Sequence, residues 1–141
     1  MAREVADRGH RIAVHGYRHR SLLRIPPRVL RDDLDRAHET IAAATGTVPI
    51  DYRPPYGIFS ASAVAEVRRR GWTALLWSHW GRDWGRRATP ESIAALVLRE
   101  LGPGDVVLLH DADHYSAPNS WCNTAGALDR LLPELGARGL L

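Results

Sequence analysis

The stretch Gly102-Pro103-Gly104-Asp105-Val106-Val107-Leu108-Leu109-His110-Asp111 runs a turn, an apolar segment and a polar ending together. The Gly-Pro-Gly-Asp turn interrupts any helix, and so short a run of Val and Leu bounded by turn residues reads as a buried strand over Val106–His110. The same grammar recurs upstream. Arg11–His15 follows Gly9 and ends in His15-Gly16-Tyr17-Arg18-His19. Val48–Arg53 ends in Arg53-Pro54-Pro55-Tyr56-Gly57. Trp72–Trp77, aromatic and apolar throughout, precedes Arg82-Asp83-Trp84.

Between these runs the apolar period changes to that of helices. Pro27–Thr45 repeats Leu30, Leu34, Ala37, Ile41 and Ala44 after Pro26-Pro27 and stops at Gly46. Ser60 caps a helix through Ala61, Val64 and Val67 that ends at Gly71. Thr89-Pro90-Glu91 starts a helix bearing Ile93, Leu96, Val97 and Leu101, and Thr124 starts a last one with Leu128, Leu131, Leu132 and Leu135 on one face. A helical stub occupies residues 2–8, and residues 111–123 form the longest irregular segment.

Strands alternating with helices predict an α/β fold with a parallel sheet and right-handed crossovers. A closed eight-unit barrel needs about 250 residues, so four strand–helix units make part of one or a small open sheet. Either way all four polar clusters are expected at the strand C-termini, the rim where such folds assemble active sites. The 141 residues suit one domain, 1–141. All 19 basic residues are Arg, yet the net charge is only +3 and the basic residues are scattered among 16 acidic ones, a poor footprint for nucleic acid. The single Cys122 forms no internal bridge, and neither a membrane-spanning stretch nor a secretory signal is visible, so the chain as written reads as soluble and cytoplasmic, with no membrane partner.

The clusters carry chemistry. His15 and His19 have the H-x3-H spacing that lets two imidazoles reach one metal, or they are plain surface histidines flanked by Arg18 and Arg20. Pro54 and Pro55 stiffen a turn that presents Arg53, a fork suited to a carboxylate, and the Tyr56 amide, suited to a developing oxyanion. His110 at a strand end is a core residue or a proton donor, and Asp83 is placed to orient an imidazole. Trp72 and Trp77 read as strand core. Trp80, Trp84 and Trp121 fall in rim loops, where they can stack on a sugar ring.

Read in order, these clusters resemble the polysaccharide deacetylases of the fourth carbohydrate esterase family, which carry the NodB homology domain. That family's His-Ser/Thr-x-x-His motif is matched by His15 and His19, its Arg-x-Pro-Tyr by Arg53, Pro55 and Tyr56, its Asp-Trp by Asp83 and Trp84, and its Leu-x-His by Leu108 and His110. The resemblance implies a partial, distorted (β/α) barrel of about four strand–helix units, and marks 1–141 as the C-terminal two-thirds of such a domain. It departs in three places. The family's Thr-Phe-Asp-Asp motif, which provides the base and a third metal ligand, has no counterpart, Asp32-Asp33 falling inside a predicted helix. Gly16 replaces Ser/Thr, and Trp80 stands where many members have an acid.

The implied activity is metal-dependent removal of acetyl groups from N-acetylated or O-acetylated sugar polymers of the chitooligosaccharide or peptidoglycan kind. It implies His15 and His19 as ligands of a divalent ion, zinc above all. Tyr56 would hold the oxyanion through its amide and Arg53 would position the base. His110 would protonate the leaving amine with Asp83 beside it, and Trp84, Leu108 and Trp80 would contact substrate. Family members are often secreted or cell-surface proteins. The rival expectation is a catalytically impaired carbohydrate- or metal-binding remnant. A phosphoesterase would want more bridging carboxylates than Asp83, Asp111 and Asp113. Open strand edges beside Val106–Leu109 would favour self-association.

Overall fold

In a computed structural model that describes residues 1–141, the chain forms two compact units, Met1–Leu76 and Trp77–Leu141. The expected α/β class with parallel strands is borne out, but the strands belong to two ladders of three and two strands rather than to one sheet.

The first unit contains α1 (Ala2–Asp7), β1 (Ala13–Val14), α2 (Pro27–Thr45), β2 (Asp51–Tyr52), α3 (Ala61–Arg69) and β3 (Thr73–Ala74). β1, β2 and β3 pair in that order, all parallel, with Val14 opposite Tyr52 and Tyr52 opposite Ala74. The chemistry read from the sequence sets the helix ends. Pro27 at the first position of α2 needs no amide partner, and Gly46 ends the helix at φ +73° with its N–H on the Ala42 carbonyl at 2.8 Å. Ser60 accepts from the Ala63 amide at 3.3 Å to cap α3. Leu30, Leu34 and Ala37 of α2 bury their stripe against Val14, Tyr52, Ala63 and Val67. Glu66, also buried, pairs with Arg31 and with Arg69 and Arg70 near the end of α3.

The second unit contains β4 (His79–Trp80), α4 (Pro90–Leu98), β5 (Val107–Leu108) and α5 (Ser120–Ala137). β4 and β5 are parallel, His79 opposite Val107 and Trp80 opposite Leu108. At their N-terminal ends the Asp105 carboxylate ties both strands, accepting from Ser78 Oγ at 2.7 Å and the Gly102 amide at 2.8 Å and lying 3.2 Å from His79 Nε2. Thr89 and Ser92 close a reciprocal capping box on α4. Ile93, Ala94 and Val97 of α4 pack on Ala127 and Leu131 of α5. Gly81 is required where β4 ends, since a Cβ there would lie 2.7 Å from both Ile93 Cγ2 and Leu109 Cδ2.

Several expectations are corrected. Trp72–Trp77 is not a continuous core strand: β3 is Thr73–Ala74, both exposed, Trp72 only borders the first core, and Trp77 is half-buried. Val106–His110 is not buried either; its ladder spans Val107–Leu108, and Val106 is exposed. β-branched and aromatic composition reports fitness for a pleated ribbon, while burial depends on what covers it. Trp80 lies in β4 rather than in a loop. α5 begins at Ser120, not Thr124, so Trp121 sits in its first turn. The Asp113 carboxylate accepts the amide of Asn119, the residue just before the helix, at 2.6 Å. On α5, Leu131 is buried whereas Leu128 and Leu132 face solvent, and α4 stops at Leu98, short of Leu101.

Candidate active site

Each polar cluster follows the C-terminal end of a strand, and within each ladder the strands run the same way. His15 and Arg53 therefore share one edge of the first sheet, and Asp83 and His110 share one edge of the second.

In the first unit the two histidines predicted to bind metal are neighbours, their ring centroids 4.9 Å apart and their planes at 63°. His15 Nδ1 lies 2.7 Å from the Arg53 carbonyl oxygen. A carbonyl can only accept, so Nδ1 carries a proton, and in the neutral ring that places the lone pair on Nε2, the tautomer a metal ligand needs. Arg53 is fixed by β pairing, its amide donating to the Val14 carbonyl at 2.9 Å. Tyr56 stacks edge-on against His19 at 4.6 Å. Its φ of +59° puts a non-glycine residue in the left-handed region between buried Pro55 and Gly57, a strain of about 1–3 kcal/mol that persists only where the surroundings enforce it. Tyr52, fully buried beneath this edge, has its phenol pKa raised by burial, with the Asp33 charge adding.

In the second unit Asp83 is buried and fully engaged. It accepts the His110 amide at 2.6 Å through Oδ2, His110 Nδ1 at 2.8 Å through Oδ1, and the Thr124 hydroxyl at 2.9 Å through Oδ2. Burial pushes its pKa up; the hydrogen bonds from His110 and Thr124 outweigh that and hold the carboxyl below the usual aspartate range. The half-exposed His110 ring meets Trp84 edge-to-face at 5.6 Å, and Trp84 in turn meets Trp80 at 5.6 Å. Arg82, at φ +50°, lays its guanidinium over Trp80 at 5.3 Å. Leu108 is partly buried opposite Trp80. Trp121 projects from α5 and is exposed.

The family model for polysaccharide deacetylases matches residues 1–75, more than half of the chain. The chain belongs to the polysaccharide deacetylase family. A chitooligosaccharide deacetylase from Bradyrhizobium sp. is 32% identical over 99% of this chain and 66% of that relative. The chain spans between 40% and 68% of the length of the curated relatives it matches. A family 4 acetyl xylan esterase from Clostridium thermocellum, solved with a cobalt ion, is 26% identical with a TM-score of 0.83, over 98% of this chain and 63% of that one. A family 4 pseudoenzyme from Bacillus anthracis is equally alike, 26% identical with a TM-score of 0.83, over 98% of this chain and 46% of that one. These likenesses bear out the partial (β/α) barrel expected of a deacetylase domain.

The donor set fits the divalent metal this family implies. Two imidazoles are adjacent and one has its tautomer fixed, although no third His, Cys, Asp or Glu joins them in a cluster. Two contributors escaped the sequence reading. Thr124 reads in the sequence only as a helix start. Asp33, set aside as a helical residue, accepts the Tyr17 amide at 2.8 Å and the Arg18 amide at 3.1 Å, inside the histidine loop.

Proposed function

We propose that this chain is a metal-dependent hydrolase that removes acetyl groups from N-acetylated sugar polymers of the chitooligosaccharide or peptidoglycan type. The observation that carries the reading is that each unit holds a histidine arrangement suited to one half of the reaction, the His15–His19 pair in the first and the carboxylate-anchored His110 in the second. Acyl transfer needs an electrophile-activating group and a proton donor for the leaving amine.

His15 and His19 would hold a divalent ion, zinc by preference because imidazole nitrogens suit it. The chemistry such an ion supplies when bound is Lewis acidity toward the acetyl oxygen and toward water. The Tyr56 amide, fixed by its strained backbone, would donate to the oxygen as it gains charge. Arg53 offers a guanidinium fork to the carboxylate base of the reaction. His110, with Nδ1 committed to Asp83, would present a proton at Nε2 to the departing nitrogen. Trp80, Trp84 and Leu108 would contact the sugar, Trp84 and Trp80 forming an aromatic run beside His110.

The second reading, a glycan- or metal-binding domain without turnover, is favoured by one observation: no third ligand joins the histidine pair. Acetate release from N-acetylchitooligosaccharides, measured with zinc or cobalt and again with chelator, separates the two. Chelator-sensitive release that falls in His110→Ala supports the hydrolase. Oligosaccharide binding with no acetate formed establishes the binding domain.

A further inference from the structure

His15 and His19 stand on irregular chain between β1 and α2, where no regular element sets the distance between two imidazoles. The segment between them is nevertheless held from α2. The Asp33 carboxylate receives the Tyr17 amide at 2.8 Å on Oδ2 and the Arg18 amide at 3.1 Å on Oδ1, so successive backbone donors close on one anion. One turn along the same helix, the Arg36 guanidinium lies 4.1 Å above the Tyr17 ring. Leu34, next to Asp33, is fully buried, so the carboxylate projects from a fixed scaffold.

Gly16 completes the arrangement. At φ +92° it adopts a backbone that side-chain-bearing residues resist, and a Cβ there would sit 3.1 Å from Asp33 Oδ2 and 3.4 Å from the Arg18 carbonyl. The hydroxyl residue that the resemblance leads one to expect at this position would crowd the carboxylate. With Gly16 the carboxylate can reach the amides, and the loop is steadied from the helix instead of from within.

We propose that Asp33 is the positioning residue of the His15–His19 pair, with Gly16 as its obligatory neighbour. The carboxylate freezes the turn between the histidines, so that the ordering a bidentate ligand pair requires is in place before a cation arrives. This inference rests on the metal-binding reading above. Asp33 is assigned a positioning role and not a ligand's: its oxygens receive the Tyr17 and Arg18 amides, and no group of three His, Cys, Asp or Glu forms around the histidine pair.

The test is calorimetric titration of the full chain with Zn²⁺ or Co²⁺ for wild type, His15→Ala/His19→Ala, Asp33→Ala, Asp33→Asn and Gly16→Ala, beside amide hydrogen exchange without metal. Asp33→Ala and Gly16→Ala should weaken binding by ~10–100-fold, the range for groups that orient ligands. Asp33→Asn, which keeps one acceptor oxygen, should recover part of the loss. Exchange protection at Tyr17 and Arg18 should vanish in Asp33→Ala while that of Leu34 persists, separating loop release from unfolding of α2. Wild-type affinity in Asp33→Ala would overturn the proposal. Should wild type and the double-histidine variant bind alike, the metal reading itself falls. Unchanged protection at Tyr17 and Arg18 would then overturn the clamp as well, and lost protection would uphold it as the device that orders the loop.

Discussion

His15 and His110 are both anchored through Nδ1, yet by partners of opposite character. His15 leans on the carbonyl of Arg53, an uncharged acceptor that holds the Nδ1 proton and so assigns the neutral ring's lone pair to Nε2. His110 leans on Asp83, a buried carboxylate also held by the His110 amide and the Thr124 hydroxyl. The difference suits each ring to the role proposed for it. A ring that gives electrons to a cation needs aim; a ring that carries and surrenders a proton needs a compensating charge that water cannot replace. Burial follows the same division, with His15 exposed on its loop and Asp83 sealed beneath His110.

The largest expected effect lies with His110, the proposed proton donor. His110→Ala should lower acetate release by about 10²–10⁴-fold, the range for general acid–base catalysis, with equilibrium binding of the oligosaccharide nearly unchanged. A loss of affinity that equals the loss of rate would make His110 a binding residue and erase the contrast with His15.

The anchors should differ in stability as they do in burial. Asp83→Ala leaves the His110 and Thr124 donors without their acceptor and should destabilise the protein by about 3 kcal/mol in denaturant melts. Asp33→Ala, whose amides can turn to water, should cost under about 1 kcal/mol. Equal costs would mean that the two carboxylates do the same job. Thr124→Val, near-isosteric and missing one of the hydrogen bonds to Asp83, is expected to cost about 1 kcal/mol, and Thr124→Ser to restore most of it.

Acid acts on both units in the same sense. Hydrogen bonding from Arg69 and Arg31 depresses the Glu66 pKa from 4.5 to about 2. A depressed carboxylate contributes stability that is complete above about pH 4.5 and is lost as pH falls through about 2. Asp83 is depressed in the same sense, so its contribution also fades only in acid below the ordinary aspartate range. Glu66→Gln should flatten the acid limb of a pH-dependent melting curve without altering acetate release. The effect should be the smallest of the set, because Arg31 and Arg69 are more than half exposed and water screens them.

What the sequence displayed, and what it hid, divides along the range of the interactions. Helix ends were legible because Pro27, Gly46, Ser60 and Thr89 act within a few residues of themselves. The paired histidines and the His110–Asp83 dyad were legible because each stands at the end of an apolar run. Strand lengths were not, since a ladder ends where its partner ends, and that partner lies 38 residues away when Ala13 meets Asp51. β4 hid in the polar-looking Ser78-His79-Trp80-Gly81, where the buried Gly81 was the only sign of a tight strand. Asp33 and Thr124 acquire their meaning from contacts 16 and 41 residues distant, and nothing in their helical neighbourhoods marks them.

The division of labour between the histidines is tested most directly by metal content. Wild type, His15→Ala/His19→Ala and His110→Ala, each loaded with zinc and desalted, can be measured by atomic emission and assayed for acetate release in parallel. The account predicts bound zinc in wild type and in His110→Ala, none in the double variant, and acetate release far below the wild-type rate in both variants. Zinc retained by the double variant, or lost from His110→Ala, would contradict it.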